Sequence, residues 1–456
     1  MPGVNDRRGR PPRVSAKAGK PAMVKLFDEL PAGFAARQVA LASVAEVLRS
    51  GKALDETMAR HGANDPLARA IAVTTFRRLG FLGRILNARL AKGLSADERS
   101  FALLATGAAQ ILFLNVPDHA AVDLAVEVAR RDPQLRHLSG LANAVLRRVA
   151  RDRDAILAED ASPLEDAPVW LADRWTRTYG PERATAIAAA HREGATVDIT
   201  PKSDPEGWAE RLGGALLPTG SIRLSDRTAI PELAGFEAGE WWVQDAAAAI
   251  PARLLGVAAG ELVLDLCAAP GGKTAQLAAA GAEVTAVDRS ASRLTRLSQN
   301  LERLHLKAEV VCADGLSFAA EPYDAVLLDA PCTATGTMRR HPDVAWTKKE
   351  GDLAGLASLQ VRLLDHAAGL VRPGGRLVYC VCSLEPDEGE FQAAAFLSRH
   401  PDFERAPIGP DETGLGSGVL TPEGDLRTLP DAHGLPDAIR RGLDGFFACR
   451  VSRKTA

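Results

Sequence analysis

The sequence predicts a multidomain protein: an all-helical front, a small α+β segment in the middle, and a doubly wound, Rossmann-like α/β domain at the back. Three observations carry this. Apolar residues recur at helical spacing from Phe34 to about Asp154, and the acidic, proline-bearing stretch Glu159 to Pro168 interrupts that pattern. Beyond it, short apolar runs alternate with helical patterns, which predicts a parallel sheet covered on both faces. A chain of 456 residues is also too long for one ordinary core. The expected divisions are a tail over 1–27, a helical domain over 28–157, a small segment over 165–239 and the α/β domain over 240–454.

The tail carries Arg7, Arg8, Arg10, Arg13, Lys17, Lys20 and Lys25 among Gly and Pro, cannot bury a core and is expected to be disordered. Contact with a polyanion and plain solubility are both open uses for it. In the front domain Leu41, Val44 and Leu48 share one helix face before Gly51, and Ala121, Leu124, Ala125 and Val128 do so after a Pro117-Asp118 start signal. Phe101 to Leu114 is apolar almost all round, the pattern of a central bundle helix. The last helix, Leu141 to Arg148, runs on into Arg151 and Arg153 and predicts a basic face. Few residues of Glu159 to Pro168 could pack, so it is read as a linker; a mixed segment follows from Pro168 to about Gly239. From Trp241 onward strands are expected at Leu262 to Leu264, Val284 to Val287, Val310 to Cys312, Ala325 to Leu328 and Leu377 to Val381, and an irregular loop from Ile408 to Gly445.

Composition narrows the class. A formal net charge of −3 argues against wholesale coating of a polyanion, so any nucleic-acid contact must come from local basic patches. Six cysteines without paired-loop spacing fit a reducing compartment. No apolar stretch could span a bilayer and no signal peptide precedes the first helix. A soluble, cytoplasmic monomer is expected.

The chemistry lies at strand ends, where ligands bind in such sheets. Leu262 to Leu266 runs into Cys267-Ala268-Ala269-Pro270-Gly271-Gly272-Lys273-Thr274, a glycine turn that opens a helix and lets backbone amides approach a ligand. It fits neither the dinucleotide nor the triphosphate pattern. Asp288 ends the second strand, about 20 residues on, where a carboxylate can accept ribose hydroxyls. Asp314 ends the third, in Cys312-Ala313-Asp314-Gly315, placed for an adenine amino group. Each acid alone is a common turn former, but both beside the glycine turn point to S-adenosylmethionine. Two thiols face this site, Cys332 in Asp329-Ala330-Pro331-Cys332 and Cys382 in Tyr379-Cys380-Val381-Cys382-Ser383. Carbon 5 of a pyrimidine is a poor nucleophile; a thiolate adding to carbon 6 makes carbon 5 carbanion-like and able to take a methyl group. Asp329, in a water-poor pocket, is expected to have a raised pKa and to donate a hydrogen bond to ring nitrogen 3. The residues read as a cytosine-5 methyltransferase.

These motifs, with Gly336, Arg339-Arg340-His341-Pro342-Asp343, Trp346 and Asp444-Gly445-Phe446-Phe447, resemble the RNA (cytosine-5)-methyltransferases of the RsmB/Sun type. The front half resembles the NusB-like RNA-binding domain of that family, including Asn143 to Arg148. The resemblance implies that Cys382 is the nucleophile, that Cys332 helps release product, and that Cys267, Ala268, Ala269, Pro270, Gly271, Gly272 and Lys273 with Asp288, Asp314 and Asp329 contact the cofactor. It implies 5-methylcytidine formation in 16S ribosomal RNA. Val381, Cys380 and Thr333 depart from the family's usual Thr, small residue and Ser, which removes no catalytic group but loosens the substrate assignment.

A transfer RNA methyltransferase is one alternative, and an RNA-binding or antitermination factor with an inactive methyltransferase domain another. A DNA enzyme would use its Pro-Cys thiol as nucleophile and would not need Cys382. Cys312 and Cys449 are expected to be inert in apolar strands. A metal held by Cys332, Cys380 and Cys382 lacks a fourth ligand and the usual spacing, so none is expected. Trp346 suits either base stacking or packing.

Overall fold

The computed structural model describes residues 30–62, 65–90, 97–160, 162–225, 229–431 and 442–455; the basic tail lies outside them. Eight α-helices form the front among these residues: α1 Phe34–Ser50, α2 Leu54–Arg60, α3 Pro66–Arg77, α4 Leu79–Asn87, α5 Glu98–Phe113, α6 Asp118–Arg131, α7 Ser139–Arg151 and α8 Arg153–Ala158. Helix α5 is the expected central one, with every residue from Ala102 to Leu112 buried. Its buried polar members bond back within the helix: Thr106 Oγ1 donates to Ala102 O at 2.7 Å and Gln110 Nε2 to Thr106 O at 2.9 Å, while Gln110 Oε1 has no partner. Gly107 lets α7 come close, since a Cβ there would lie 2.6 Å from Leu146 Cδ1.

The stretch read as a linker is packed. Arg78, itself buried, donates to Asp160 at 2.6 Å and to Asp166 at 3.1 Å, and Arg192 donates to Asp166 at 2.7 Å. Acids that looked solvent-bound are thus ion-pair partners for arginines far away in sequence, a contact that local composition cannot reveal. Helices α9 Val169–Tyr179 and α10 Pro181–Glu193 then lean on the back domain through Leu171, Trp175, Ala184 and Ile187 against Met338, Ala345, Leu384 and Leu429.

A small antiparallel sheet follows: β1 Asp198–Pro201, helix α11 Pro205–Arg211, β2 Ala215–Leu216, β3 Ile222–Arg223 and β4 Trp241–Val243, in the order β2-β3-β1-β4. Trp241, expected to start the α/β alternation, instead pairs with Pro201 and fills the small core with Ile199 and Ile222.

The back domain runs α12 Ala246–Leu254, β5 Leu262–Leu266, α13 Gly272–Ala279, β6 Glu283–Asp288, α14 Ala291–Arg303, β7 Glu309–Cys312, β8 Tyr323–Asp329, α15 Val344–Thr347, α16 Glu350–Gly369, β9 Val371–Val381, α17 Glu390–Arg399, β10 Phe403–Arg405, α18 Pro410–Thr413, β11 Leu426–Thr428 and β12 Phe446–Arg453. Its sheet has the order β10-β12-β9-β8-β5-β6-β7, with β11 paired to β12. Strands β5 to β9 pair in parallel and β12 pairs antiparallel to β9 and β10. The near-continuous apolar strands are covered on both faces, for instance Val263 and Leu327 on one side, Leu264 and Leu328 on the other. The segment read as one irregular loop from Ile408 holds α18 and β11; its residues 432–441 lie outside the described ones. Among the described residues no helix is long and apolar enough to cross a membrane.

Candidate active site

Strand β5 ends in a tight turn whose shape is set by backbone. Cys267 adopts φ 66° and Gly271 φ 100°, and a Cβ on Gly271 would meet Leu297 Cγ at 2.7 Å, so this position needs glycine. Beneath the turn Asp265 is fully buried. Thr274 Oγ1 donates to its Oδ2 at 2.6 Å, while Oδ1 has no hydrogen-bond partner, and burial pushes the carboxyl up to about 7. Burial likewise pushes the Cys267 thiol up to about 12. At the end of β6, Asp288 accepts from Ala269 N at 3.2 Å, Ser290 N at 2.9 Å and Arg293 Nη1 at 3.3 Å. Asp314 is exposed just past β7 and accepts from Leu316 N at 2.9 Å, capping its own turn.

Register brings the thiols next to this turn. Asp329 pairs with Cys380 across β8 and β9, so the segments that leave both strands emerge side by side. Cys332 Sγ and Cys382 Sγ lie 3.5 Å apart. The hydrogen bond with Cys382, then burial, push the Cys332 thiol well up. Lys273 links the two halves. Its ammonium donates to Asp329 Oδ2 at 2.8 Å and lies 5.1 Å from the Phe446 ring centroid. Burial alone would lower its pKa, but the charge of Asp329 overrides this and raises it. Asp329, expected as a hydrogen-bond donor, is therefore an acceptor, taking Lys273 on one oxygen and Cys380 Sγ on the other at 3.6 Å. A neighbouring cation supplies what the apolar strand pattern did not show.

Sequence reasoning missed Glu388. Its fully buried carboxylate accepts from Thr333 and Ser383, the residues after the two cysteines, and from Gln360. Its only local signal is the acidic run Glu385-Pro386-Asp387-Glu388, which reads as an exposed turn. Asp444, the first residue of the Asp444-Gly445-Phe446-Phe447 motif, is a buried anchor: Arg340 Nε donates to it at 2.7 Å, and burial pushes its carboxyl up to about 6.

Other expectations change. Cys449 is buried, but Cys312 is exposed, because β7 is the sheet edge. Trp346 packs against the front domain, Nε1 donating to Phe76 O at 3.2 Å, and is a packing residue. The predicted basic face is interleaved with acids: Arg147 faces Asp123 at 3.5 Å, Arg151 faces Asp152 at 3.1 Å and Arg153 faces Asp118 at 3.5 Å. Among the described residues no three His, Cys, Asp or Glu side chains are grouped to hold a metal.

Comparison with known proteins matches the family model "16S rRNA methyltransferase RsmB/F" over residues 252–451 and the NusB family over residues 35–151. Ribosomal RNA small subunit methyltransferase B of Vibrio cholerae is 35% identical over 412 residues, covering 85% of this chain and 89% of that one. The chain belongs to the RsmB/F methyltransferase family. Like that family, it is an S-adenosylmethionine-dependent methyltransferase. Two solved structures share the fold of this RsmB/F member: PH0851, with TM-score 0.69, 24% identity and coverage of 91% of this chain and 99% of the other, and a methyltransferase homologue from Pyrococcus horikoshii, with TM-score 0.52, 28% identity and coverage of 66% and 98%. The unpartnered Oδ1 of buried Asp265 and the acceptor oxygens of Asp288 suit a cofactor bound through hydroxyl and amine groups.

Proposed function

We propose that this protein forms 5-methylcytidine in small-subunit ribosomal RNA through a covalent adduct between Cys382 and carbon 6 of the target base. The thiol pair, 3.5 Å apart beside the Lys273–Asp329 ion pair, carries the reading. The RNA class follows the name of the Vibrio cholerae relative, and the NusB match supports reading the front domain as the RNA-binding part.

The backbone of 267–272 and the carboxylates of Asp288 and Asp314 hold the cofactor, which when bound supplies an electrophilic methyl group. The cytidine must leave any stack for a thiol to reach carbon 6. Cys382 attacks as thiolate: a sulfur–carbon bond forms and the ring's electron pair shifts toward carbon 5, which takes the methyl group. Lys273, hydrogen-bonded to Asp329, provides the proton that offsets charge building at the nitrogen 3 edge. Cys332, its own thiol proton first released to water, then takes the carbon 5 proton as a thiolate; the electron pair of that carbon–hydrogen bond returns to the ring and breaks the bond from carbon 6 to Cys382, which leaves as thiolate and frees the RNA.

Separate Cys382→Ala and Cys332→Ala variants, mixed with cofactor and either small-subunit or transfer RNA and run on a denaturing gel, test this. Cys382→Ala should lose turnover and all adduct, while Cys332→Ala should stall as a slow, ribonuclease-sensitive band with ribosomal RNA. A trapped band with Cys382→Ala alone would reverse the roles, and a band with transfer RNA alone would move the substrate.

A further inference from the structure

Glu388 lies in the turn between β9 and α17, and its side chain has no solvent exposure. Withdrawing a carboxylate from water costs several kcal/mol unless its oxygens are matched by donors. Here they are. Oε1 accepts from Thr333 N at 2.9 Å and Gln360 Nε2 at 3.1 Å, and Oε2 from Thr333 Oγ1 at 2.5 Å and Ser383 Oγ at 2.6 Å. Thr333 follows Cys332 and Ser383 follows Cys382, so one carboxylate grips both thiol-bearing segments by their next residue. The grip is anchored on two further elements. Tyr379 OH in β9 donates to Glu388 O at 2.5 Å, and Gln360 in α16 also donates to Pro331 O at 2.9 Å, just before Cys332.

No strand pairing joins residues 332–333 to 382–383; apart from Glu388 the two segments meet through Thr333 Oγ1 and Ser383 Oγ at 3.1 Å and through Gly336 N, which donates to Cys382 O at 3.1 Å. We propose that Glu388 is the positioning residue that fixes the spacing of the Cys332 and Cys382 thiols, so that one thiol can reach carbon 5 while the other is bonded to carbon 6. This rests on the reading of the two cysteines as the reactive pair. Glu388 itself touches no reacting atom, and its effect passes through Thr333 and Ser383.

Cross-linking measures the spacing without RNA or cofactor. In full-length protein with Cys380→Ala, so that β9 carries no second thiol, diamide takes two electrons and two protons from Cys332 and Cys382. A disulfide forms, diamide becomes the hydrazine, and peptide mapping gives the rate. Glu388→Gln places an amide donor against donors already present, and should slow cross-linking at least about tenfold, the factor that corresponds to about 1.4 kcal/mol of lost preorganisation. In turnover, kcat should fall by a similar factor while KM for RNA and affinity for S-adenosylmethionine stay unchanged, a split that general loosening of the fold would not give. If Glu388→Gln does not fold, Thr333→Val and Ser383→Ala each release one segment and should slow cross-linking as well. Cross-linking at the parent rate in the folded variants overturns the proposal, as does loss of cofactor affinity in step with kcat. Failure of the adduct experiment would leave the cross-linking result standing, so the two readings fail separately.

Discussion

At the ends of β5 and β6 the chain shapes the candidate cofactor site with its backbone, whereas at the ends of β8 and β9 it builds the candidate thiol site with side chains that meet across about 50 residues of sequence. The contrast is sharpest in two buried carboxyls. Asp265, under the glycine turn, has one donor and an oxygen with none, and burial pushes it up to about 7. Glu388, under the thiols, has both oxygens occupied by donors from three residues. The comparison teaches that burial alone does not define a strained acid; the donors around it do. It also separates a half whose form is written in consecutive residues from one that exists only once the strands have paired.

The largest effect expected from this contrast is in stability against pH. The carboxyl of Asp265 has a folded pKa of about 7 against an ordinary 3.8, so the native state holds a proton that the unfolded chain has released. Its contribution is fully present below the unfolded value and is lost as pH rises through about 7. A shift of this size corresponds to up to about 4 kcal/mol. Denaturant unfolding of Asp265→Asn at pH 5 and pH 8 should show a smaller decline between the two than the parent shows. Equal declines would mean that Asp265 is not the orphaned acid described.

How much was legible follows the same division. The glycine turn, Asp288 and the strand pair carrying Cys332 and Cys382 are read from local patterns, because a buried parallel strand and a tight turn each need particular residues in a row. Helix α5 was legible because an all-round apolar run has one stable place, the centre of a bundle. The packed acids of 159–168, the small-sheet role of Trp241 and the interdomain role of Trp346 were not, since each depends on a partner far away in sequence. Glu388 is the strongest case, and the hydrogen-bond-accepting role of Asp329 another: both are set by neighbours that sequence places far away, Thr333 for one and Lys273 for the other.

An intermediate effect is expected at Asp288, in the backbone-built half. Asp288→Ala removes the proposed ribose-hydroxyl acceptor at the end of β6, and loss of a hydrogen bond to a charged group should weaken S-adenosylmethionine binding by roughly 1.5–3 kcal/mol. Calorimetric titration measures this directly. The Cys332–Cys382 cross-linking rate should not change, because Asp288 lies outside the Glu388 network; a changed rate would show that the halves are coupled.

The smallest effect belongs to Arg293, and its sign tells whether the guanidinium is part of the site or a cover over it. Arg293 stands on the first turn of α14, half-exposed, and reaches back to Asp288 Oδ2 at 3.3 Å and to the carbonyl of Ala269. Asp288 is buried but the guanidinium end of the pair is exposed, so water screens it and the long side chain must be held in place, which limits the pair to about 1 kcal/mol or less. Asp288 meanwhile keeps its two backbone donors, Ala269 N and Ser290 N, whether or not the guanidinium is there. Arg293→Ala should therefore leave the fold unchanged and alter cofactor affinity by less than about 1 kcal/mol, toward tighter binding, since an acceptor lone pair becomes free for a ribose hydroxyl. The same titration used for Asp288→Ala reads it. If affinity drops as far as it does in Asp288→Ala, Arg293 is a cofactor contact. The first half of the site would then also depend on a long-range side chain, and the contrast with the thiol half would narrow.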